Sequence, residues 1–480
     1  MAMDQHRSTR RKGERGYFVM SMWMMMMVCV IIPMIGLAVD AGILYTIKGK
    51  LQEAVDGASL GAARSLNRSQ AIADQEADAS DAAVRYYHAN FPTGWMSVSP
   101  VNDPTVTWPT SSNPATAIIH VQGDIDAPTW FMRILGFNSV HLTAVGEATR
   151  RNVNVLMVLD RSGSLDTSGS CVPMAQAAQG FVNLFSDNRD RMGMLTFGTY
   201  YNLDFPFNYD FQSGLTTDLN SLSCVGWTNA AAAYWKGYQA LKALGDLNAL
   251  NIILFFTDGQ PNTITFGTVD GGSGPLLPLK AGSSCTATPG FSGTVGGNAD
   301  GVYKQTIATY PAPADANPYD EVVIDSSYGW NGGCSFHSAV GRSISSDVSY
   351  LPSTDAFGNS ISTSLLGGTG FPASVTKSGG NVQVTSGNVT NGGTNALDNA
   401  AQRARQDAAA ANMPFIVYTI GLGNAPGGVN NELLKRIAND PTALAYQSAY
   451  SAGTYLYSPD AAHLAAAFAA IADDIMRISK

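Results

Sequence analysis

Histidine and charge are both scarce in this chain. Of 480 residues only 6 are histidine and 14% are charged, and acidic side chains (37) outnumber basic ones (28). The net charge of −9 and the lack of any basic stripe with interleaved aromatics exclude a general nucleic-acid binder. No His-Glu-x-x-His occurs, which removes the common zinc hydrolases. His88, His120 and His141 show no metal-ligand spacing and read as ordinary structural histidines. Cysteine is also sparse, 5 in all, and no spacing among the five resembles a zinc site. The chain is nonetheless 45% hydrophobic with 49 glycines, so it reads as two or three ordered domains joined by glycine- and serine-rich loops rather than a disordered polymer.

One uncharged run stands out. Arg7, Arg10, Arg11, Lys12 and Arg15 precede Tyr17–Val39, a stretch about the length of one membrane-spanning helix. Basic residues before such a span stay in the cytoplasm, so residues 1–16 are expected there, 17–39 in a bacterial inner membrane, and the body on the far side. The apolar run leads straight into Asp40–Ala41–Gly42 without a small-residue cleavage site, which marks an uncleaved anchor. Met24 to Met27 read as flexible lipid-facing bulk, and Pro33 and Gly36 are tolerable in a membrane helix. Cys29 falls inside this helix and reads as inert packing. Cys171, Cys224, Cys285 and Cys334 remain as an even set outside the cytoplasm, with three pairings open to them.

Residues 40–150 read as a stalk helix followed by a small α+β module. Leu51, Ala54, Val55, Ala58, Leu60, Ala62 and Ala63 are spaced as on a helix face, and Ala117–Val121 and Val140–Val145 read as strands. From about 151 to 480, near-continuous apolar strands alternate with helices. That alternation implies an α/β, doubly wound parallel sheet covered on both faces. It is interrupted at about 261–393 by a Gly-, Ser-, Thr- and Pro-dense insertion, too long for a simple loop. The insertion's role stays open between a partner-binding surface and a poorly ordered ornament.

The first apolar strand of this region ends in Asp160–Arg161–Ser162–Gly163–Ser164, which sets one carboxylate and two hydroxyls at alternate positions. Two later pieces complete a set of hard oxygen donors. They are Gly226–Trp227–Thr228–Asn229, and the strand Asn251–Phe256 that runs into Thr257–Asp258–Gly259. Such donors suit Mg²⁺, Mn²⁺ or Ca²⁺, and the absence of a histidine base among them speaks against a hydrolase.

Order and spacing of these pieces resemble the metal-ion-dependent adhesion site of the von Willebrand factor A domain. The resemblance implies a Rossmann-like fold with Asp160, Ser162 and Ser164 in the first metal loop, Thr228 in the second and Asp258 in the third. It implies a divalent cation, Mg²⁺ foremost, whose open position takes a carboxylate from a partner protein. Trp227 stands where the family usually has glycine. Gly393–Thr394–Asn395 competes as the second loop, but Thr228 precedes the Asp258 strand as the family order demands. In that fold Cys171 follows the first loop and Cys224 precedes the second, so the resemblance pairs them and leaves Cys285 with Cys334.

A second resemblance covers the amino terminus. Arg15–Gly16, the apolar helix, Leu37–Asp40 and Lys50–Ala58, together with Trp130–Gly136 and Ala144–Thr149, look like TadG-like proteins of the tight-adherence (Flp) pilus-assembly system. Cleaved prepilins carry a glutamate five residues beyond the equivalent glycine. Ser21 stands at that place here, which fits a retained anchor. The two resemblances imply a non-enzymatic, membrane-anchored binding factor whose partners are pilus or secretion-apparatus components. The alternatives are a von Willebrand A protein working with a MoxR-type ATPase in metal insertion or stress tolerance, or a surface adhesin.

Overall fold

Pro33 shapes the beginning of the structure. A computed structural model describes residues 20–66, 72–109, 116–267, 302–304, 321–325, 350–383, 385–423 and 428–479, with helical backbone from Met20 onward. Proline has no amide hydrogen, and its ring crowds the carbonyl four residues before it. A π-turn over Met27–Ile31 widens the helix just ahead of that clash. Helix α1 follows at Ile32–Ser65. Among the described residues it is the one helix long and apolar enough to cross a membrane. Its surface changes character along its length. Met22, Trp23, Met25, Ile32 and Ile35 are each more than half exposed, whereas Ile47, Leu51, Ala54, Val55, Ala58 and Ala62 are fully buried at three- and four-residue spacing.

The chain divides between Arg150 and Arg151 into two units, apart from short loop pieces. In the first, the buried face of α1 packs with helix α2 (Ile72–Asn90) on a three-stranded sheet ordered β1 (Thr105–Thr107), β2 (Thr116–Pro128), β3 (Ser139–Arg151). Ile119, Val121, Ile125 and Ala127 alternate into that core, the period of two a one-sided strand requires. Gly146 on β3 is needed for the fit, because a Cβ there would stand 2.6 Å from the Val55 carbonyl oxygen.

The second unit is built on a six-stranded sheet. Its strands, in chain order, begin with β4 (Val153–Asp160), β5 (Arg191–Phe197), β6 (Tyr201–Asn208) and β7 (Leu250–Thr257). Short strands β8 (Thr263–Gly267), β9 (Val302–Lys304) and β10 (Glu321–Asp325) form a separate antiparallel sheet, and β11 (Lys377–Ser378) pairs with β12 (Asn381–Val382). Strands β13 (Phe415–Leu422) and β14 (Tyr455–Ser458) complete the large sheet, whose order is β14-β13-β7-β4-β5-β6. Five strands run parallel, as the alternating pattern implies. The sixth is an antiparallel edge: β6 runs against β5. Only residues 198–200 separate the two, too few for the crossover that parallel pairing needs.

Helices cover both faces. Helices α3 (Gly163–Thr167), α4 (Cys171–Val182) and α5 (Gln212–Asn220) follow the chain order, then α6 (Ala230–Ala243), α7 (Ser386–Ala410), α8 (Asn431–Ala438) and α9 (Leu464–Ile478). Leu156 and Val158 of β4 point to the layer of α6, α7 and α8, while Val155, Met157 and Leu159 meet α4, α5 and α9. The two asparagines of the central strands are satisfied by each other and by the chain nearby: Asn154 Nδ2 donates to Asn251 Oδ1 at 3.0 Å, and Asn251 Nδ2 donates to the Asp246 carbonyl at 2.8 Å.

Helix α7 starts at Ser386, so the last residues of the expected insertion, up to Gly393, are helical, as is Thr394 after them. Glycine, asparagine and threonine are poor helix formers, and tertiary bonds hold this stretch in place. Asn388 pairs with both backbone groups of Thr376 and with the Gln383 carbonyl, all at 2.8 Å. Asn395 binds the Ile361 and Ala373 carbonyls at 2.9 Å and accepts the Ala373 amide at 2.7 Å. Asn399 does the same for Ser360, Thr363 and Leu365. Each amide thus uses both hydrogens and its oxygen. Residues 350–383 are thereby strapped along α7. Cys285 and Cys334 lie outside the described residues.

Arg436 on α8 anchors the same strap. Its guanidinium meets both oxygens of Asp398 on α7 at 2.8 and 2.7 Å and the Gly367 carbonyl at 2.9 Å, with both charged side chains fully buried. Arg436→Met is expected to cost roughly 3–5 kcal/mol because it strands the Asp398 charge. Urea unfolding should show the loss, and adding Asp398→Leu should restore most of it. Cys171 and Cys224 are joined, closing a loop with a sequence separation of 53. Reduction of this bridge should lower stability by about 4 kcal/mol on the chain-entropy account. Peptide mapping without reduction should recover the Cys171–Cys224 pair.

Candidate metal centre

Strands β4 and β7 are parallel neighbours with Leu159 beside Phe256, so their carboxyl ends place Asp160 next to Thr257 and Asp258. Asp160 is fully buried. Its Oδ1 accepts the Ser162 amide at 2.8 Å and its Oδ2 accepts the Thr257 hydroxyl at 2.6 Å. Asp258 receives the two serines of the first loop. Ser164 Oγ donates to Asp258 Oδ1 at 2.8 Å, while Ser162 Oγ lies 3.4 Å from that oxygen and 3.0 Å from Ser164 Oγ.

The second loop is drawn in by its backbone. Gly163 donates its amide to the Gly226 carbonyl at 2.9 Å, and Val225 donates to the Arg161 carbonyl at 2.7 Å. Gly226 adopts φ 89°, open to glycine at little cost, and a Cβ there would collide with Thr199. Thr228 is buried. Its amide donates to Asn262 Oδ1 at 2.7 Å, and Asn262 returns its amide to the Thr228 carbonyl at 3.2 Å. The structure therefore gathers Asp160, Ser162, Ser164 and Asp258 into one hydrogen-bonded cluster and ties the Thr228 loop to the segments on both sides of it. The Thr228 hydroxyl joins none of these bonds. Thr394, its rival in the sequence, sits inside helix α7.

Two positioning residues escaped the sequence reading, Thr257 and Asn262. Thr257 is adjacent to Asp258, but only the strand register reveals that its hydroxyl reaches across to Asp160. Another string could mislead: Gly57–Ala58–Ser59–Leu60–Gly61 spells the Gly-x-Ser-x-Gly of a hydrolase elbow. It lies within helix α1, where Ser59 is buried and donates to the Asp56 carbonyl. An elbow needs a strand-to-helix turn that exposes the serine.

Electrostatics set this cluster apart. Burial pushes the Asp160 carboxyl up to about 7, with repulsion from Asp258 adding to it, and burial likewise raises Asp258. Asp258 Oδ2 is buried and accepts no hydrogen bond among the described residues. Two buried carboxylates, two nearby serine hydroxyls and an orphaned acceptor fit a hard divalent cation, which takes oxygen ligands and cancels the repulsion. Among the described residues, no group of three or more His, Cys, Asp or Glu could hold a metal ion, so this mixed hydroxyl–carboxylate cluster is the centre that merits testing.

The direction of these shifts makes the metal-free protein sensitive to pH. Unfolded carboxyls release their protons near 3.8, whereas folded Asp160 holds its proton until about 7. The native state binds more protons in that window, so stability is greatest at its acid end and declines as pH rises through it. In EDTA the melting temperature should fall between about pH 4 and pH 7 through this pair. Asp258→Asn should flatten the decline, and Mg²⁺ should reverse it at neutral pH. A melting temperature that responds to neither change would remove the cluster as the cause.

Comparisons with known proteins fall on the same regions. Residues 155–260 match the von Willebrand factor type A domain, and residues 16–65 match the Flp pilus-assembly TadE/G-like family. A search of curated proteins found no match. Similar solved structures include the von Willebrand domain of the type V pili tip protein Mfa5 from Porphyromonas gingivalis, at 15% identity over 69% of this chain and 98% of that one, TM-score 0.37. The PilB minor pilin of Streptococcus sanguinis is similar at 12% identity, 80% and 79% coverage and TM-score 0.36. The pilus adhesin SpaC of Lactobacillus rhamnosus GG is similar at 11% identity, with 78% of this chain covering 34% of that one, TM-score 0.34. The chain joins a TadE/G-like Flp pilus-assembly segment to a von Willebrand factor type A domain.

Proposed function

We propose that this protein is a non-enzymatic, membrane-anchored binding factor in the assembly of a bacterial tight-adherence (Flp) pilus and its secretion apparatus. In this reading the helix that begins the described residues crosses the inner membrane and the body lies outside the cytoplasm. Asp160, Ser162, Ser164, Thr228 and Asp258 hold a divalent cation, Mg²⁺ foremost, through which a partner protein is recognised. The bound ion supplies an electropositive centre for a carboxylate of that partner. The single observation that carries the metal part is the orphaned, buried Asp258 Oδ2 in a cluster of oxygen donors. The pilus part is supported by the TadE/G-like match over residues 16–65.

The chain's own groups do the preparatory work. Thr257 and the Ser162 amide orient Asp160, Ser164 orients Asp258, and the Gly163–Gly226 bond holds the first two loops together. The hydroxyls carry no charge, so the five side chains bring two negative charges to a divalent ion and leave it able to attract a third.

Asp258→Ala is expected to weaken Mg²⁺ or Mn²⁺ binding by more than the ~100-fold that loss of a supporting partner costs. Folding should survive, because removing one carboxylate relieves repulsion in the metal-free site. Cells carrying the variant should insert and accumulate the protein yet fail to assemble pili or adhere. Calorimetric titration and an adherence assay on the same variant separate the two steps. Unchanged metal affinity would defeat the site, and lost affinity with full adherence would defeat its role in assembly.

A further inference from the structure

The connection between β2 and β3 exposes more large apolar surface than a water-facing loop should. In the first unit, Trp130 is 50% exposed, Phe131 42%, Ile134 80%, Leu135 59% and Phe137 59%, all within eight residues. Contiguous apolar surface of this kind marks an interaction site. The loop is not loose. A 3-10 turn spans Met132–Leu135, Gly136 at φ 93° closes it, and Phe137 donates its amide to the Met132 carbonyl at 3.2 Å. At its base Thr129 donates its amide to the Asn138 carbonyl at 3.1 Å.

What fixes the loop is Asp40 of helix α1. Its buried carboxylate accepts the amides of Trp130 at 3.0 Å, Phe131 at 2.9 Å and Met132 at 2.6 Å. One turn earlier on α1, Gly36 leaves room for the Phe131 side chain; a Cβ there would stand 2.7 Å from the Phe131 ring. The loop is therefore clamped at Gly36 and Asp40, where the exposed apolar surface of residues 20–39 gives way to the first charged side chain after it.

We propose that residues 130–137 dip into the boundary between headgroups and acyl chains of the same bilayer that the helix spans, with Asp40 setting their depth. This rests on the reading of that helix as a membrane anchor. The continuity of the two exposed apolar surfaces favours lipid over a protein occupant. The clamp sets the loop beside the end of the apolar run, at the level where Trp and other bulky side chains concentrate in membrane proteins. Exposed Arg133 can reach anionic headgroups while the apolar neighbours sink below it. The small module is then held to the membrane at two points, so its sheet keeps a fixed tilt instead of swinging on a single helix.

The test uses the full chain in vesicles of phosphatidylethanolamine and phosphatidylglycerol with bromine placed at known acyl depths. An environment-sensitive fluorophore is attached through Ile134→Cys, through Met24→Cys inside the apolar run, or through Arg64→Cys. The last lies about 36 Å beyond Asp40 along the helix, at 1.5 Å per residue. The label at 134 should shift to the blue and lose most of its emission to bromine near the headgroup end. The label at 24 should respond to deeper bromine, and the label at 64 to none. Asp40→Ala should abolish the response at 134 and leave that at 24 intact. Quenching at 24 with none at 134 would overturn the proposal while the anchor stands. Quenching at neither would overturn the anchor, and the proposal with it. A blue shift at 134 that lipid bromine does not quench, and that fades on dilution of the protein, would assign the surface to a second copy of the chain and overturn the lipid assignment.

Discussion

Two aspartates that are far apart in sequence are forced together in a dry place by the parallel register of β4 and β7. Thr257 and Asp160 are 97 residues apart yet share a hydrogen bond of 2.6 Å. Burial of like charges close together destabilises the fold, and both carboxyls hold their protons above the ordinary range, Asp160 up to about 7. Around this point the rest of the domain is arranged. Its two central strands are buried along their whole length, helices lie on both faces, and the disulfide closes between the first and second loops. A frame buried and bridged in this way holds the repelling groups in position.

Carboxylates and carboxamides do similar work elsewhere in the chain. Asp40 gathers three successive amides in the first unit. In the second, Asp355 gathers the amides of Phe357 and Asn359 and the Asn359 side chain, and burial pushes its own carboxyl up to about 6. Asn388, Asn395 and Asn399 along α7 fasten a strap of largely irregular chain whose only ladder among the described residues is the short β11–β12 pair. Backbone groups removed from water must find partners. Here polar side chains on regular elements supply them, which is how a glycine- and serine-rich segment becomes ordered structure over residues 350–383.

The two units differ in what their apolar surface is for. The second buries its apolar residues in two layers on either side of the sheet, and the cluster of Asp160, Asp258 and the two serines lies at the carboxyl ends of its central strands. In the first, α1 is buried against other elements mainly from Asp40 onward, with Gly36 meeting Phe131 just before it. Residues 20–39, which include its first turns, show their large apolar side chains outward, and the Trp130–Phe137 loop does likewise. Helix α1 therefore carries two opposite kinds of apolar surface on one continuous backbone, divided near Asp40.

Local pattern made part of this molecule legible from its letters. The uncharged run 17–39, the apolar strands ending at Asp160 and before Asp258, and the alternation that implies a two-faced α/β sheet all stand in the sequence, because hydrophobic period and length are local properties. The family motif also pointed to the Cys171–Cys224 pair. Other features needed the tertiary structure. The antiparallel edge strand β6 alternates buried and partly exposed residues as a one-sided strand does, but its direction follows from the short connection to β5. The first turns of α7 contain glycine and asparagine that disfavour a helix, yet their side-chain bonds to distant carbonyls hold them there. Thr257 as the partner of Asp160, the missing partner of Asp258 Oδ2, and the clamp from Asp40 to residues 130–132 all join segments remote in sequence. Such contacts depend on strand register and helix docking, which only the folded chain decides.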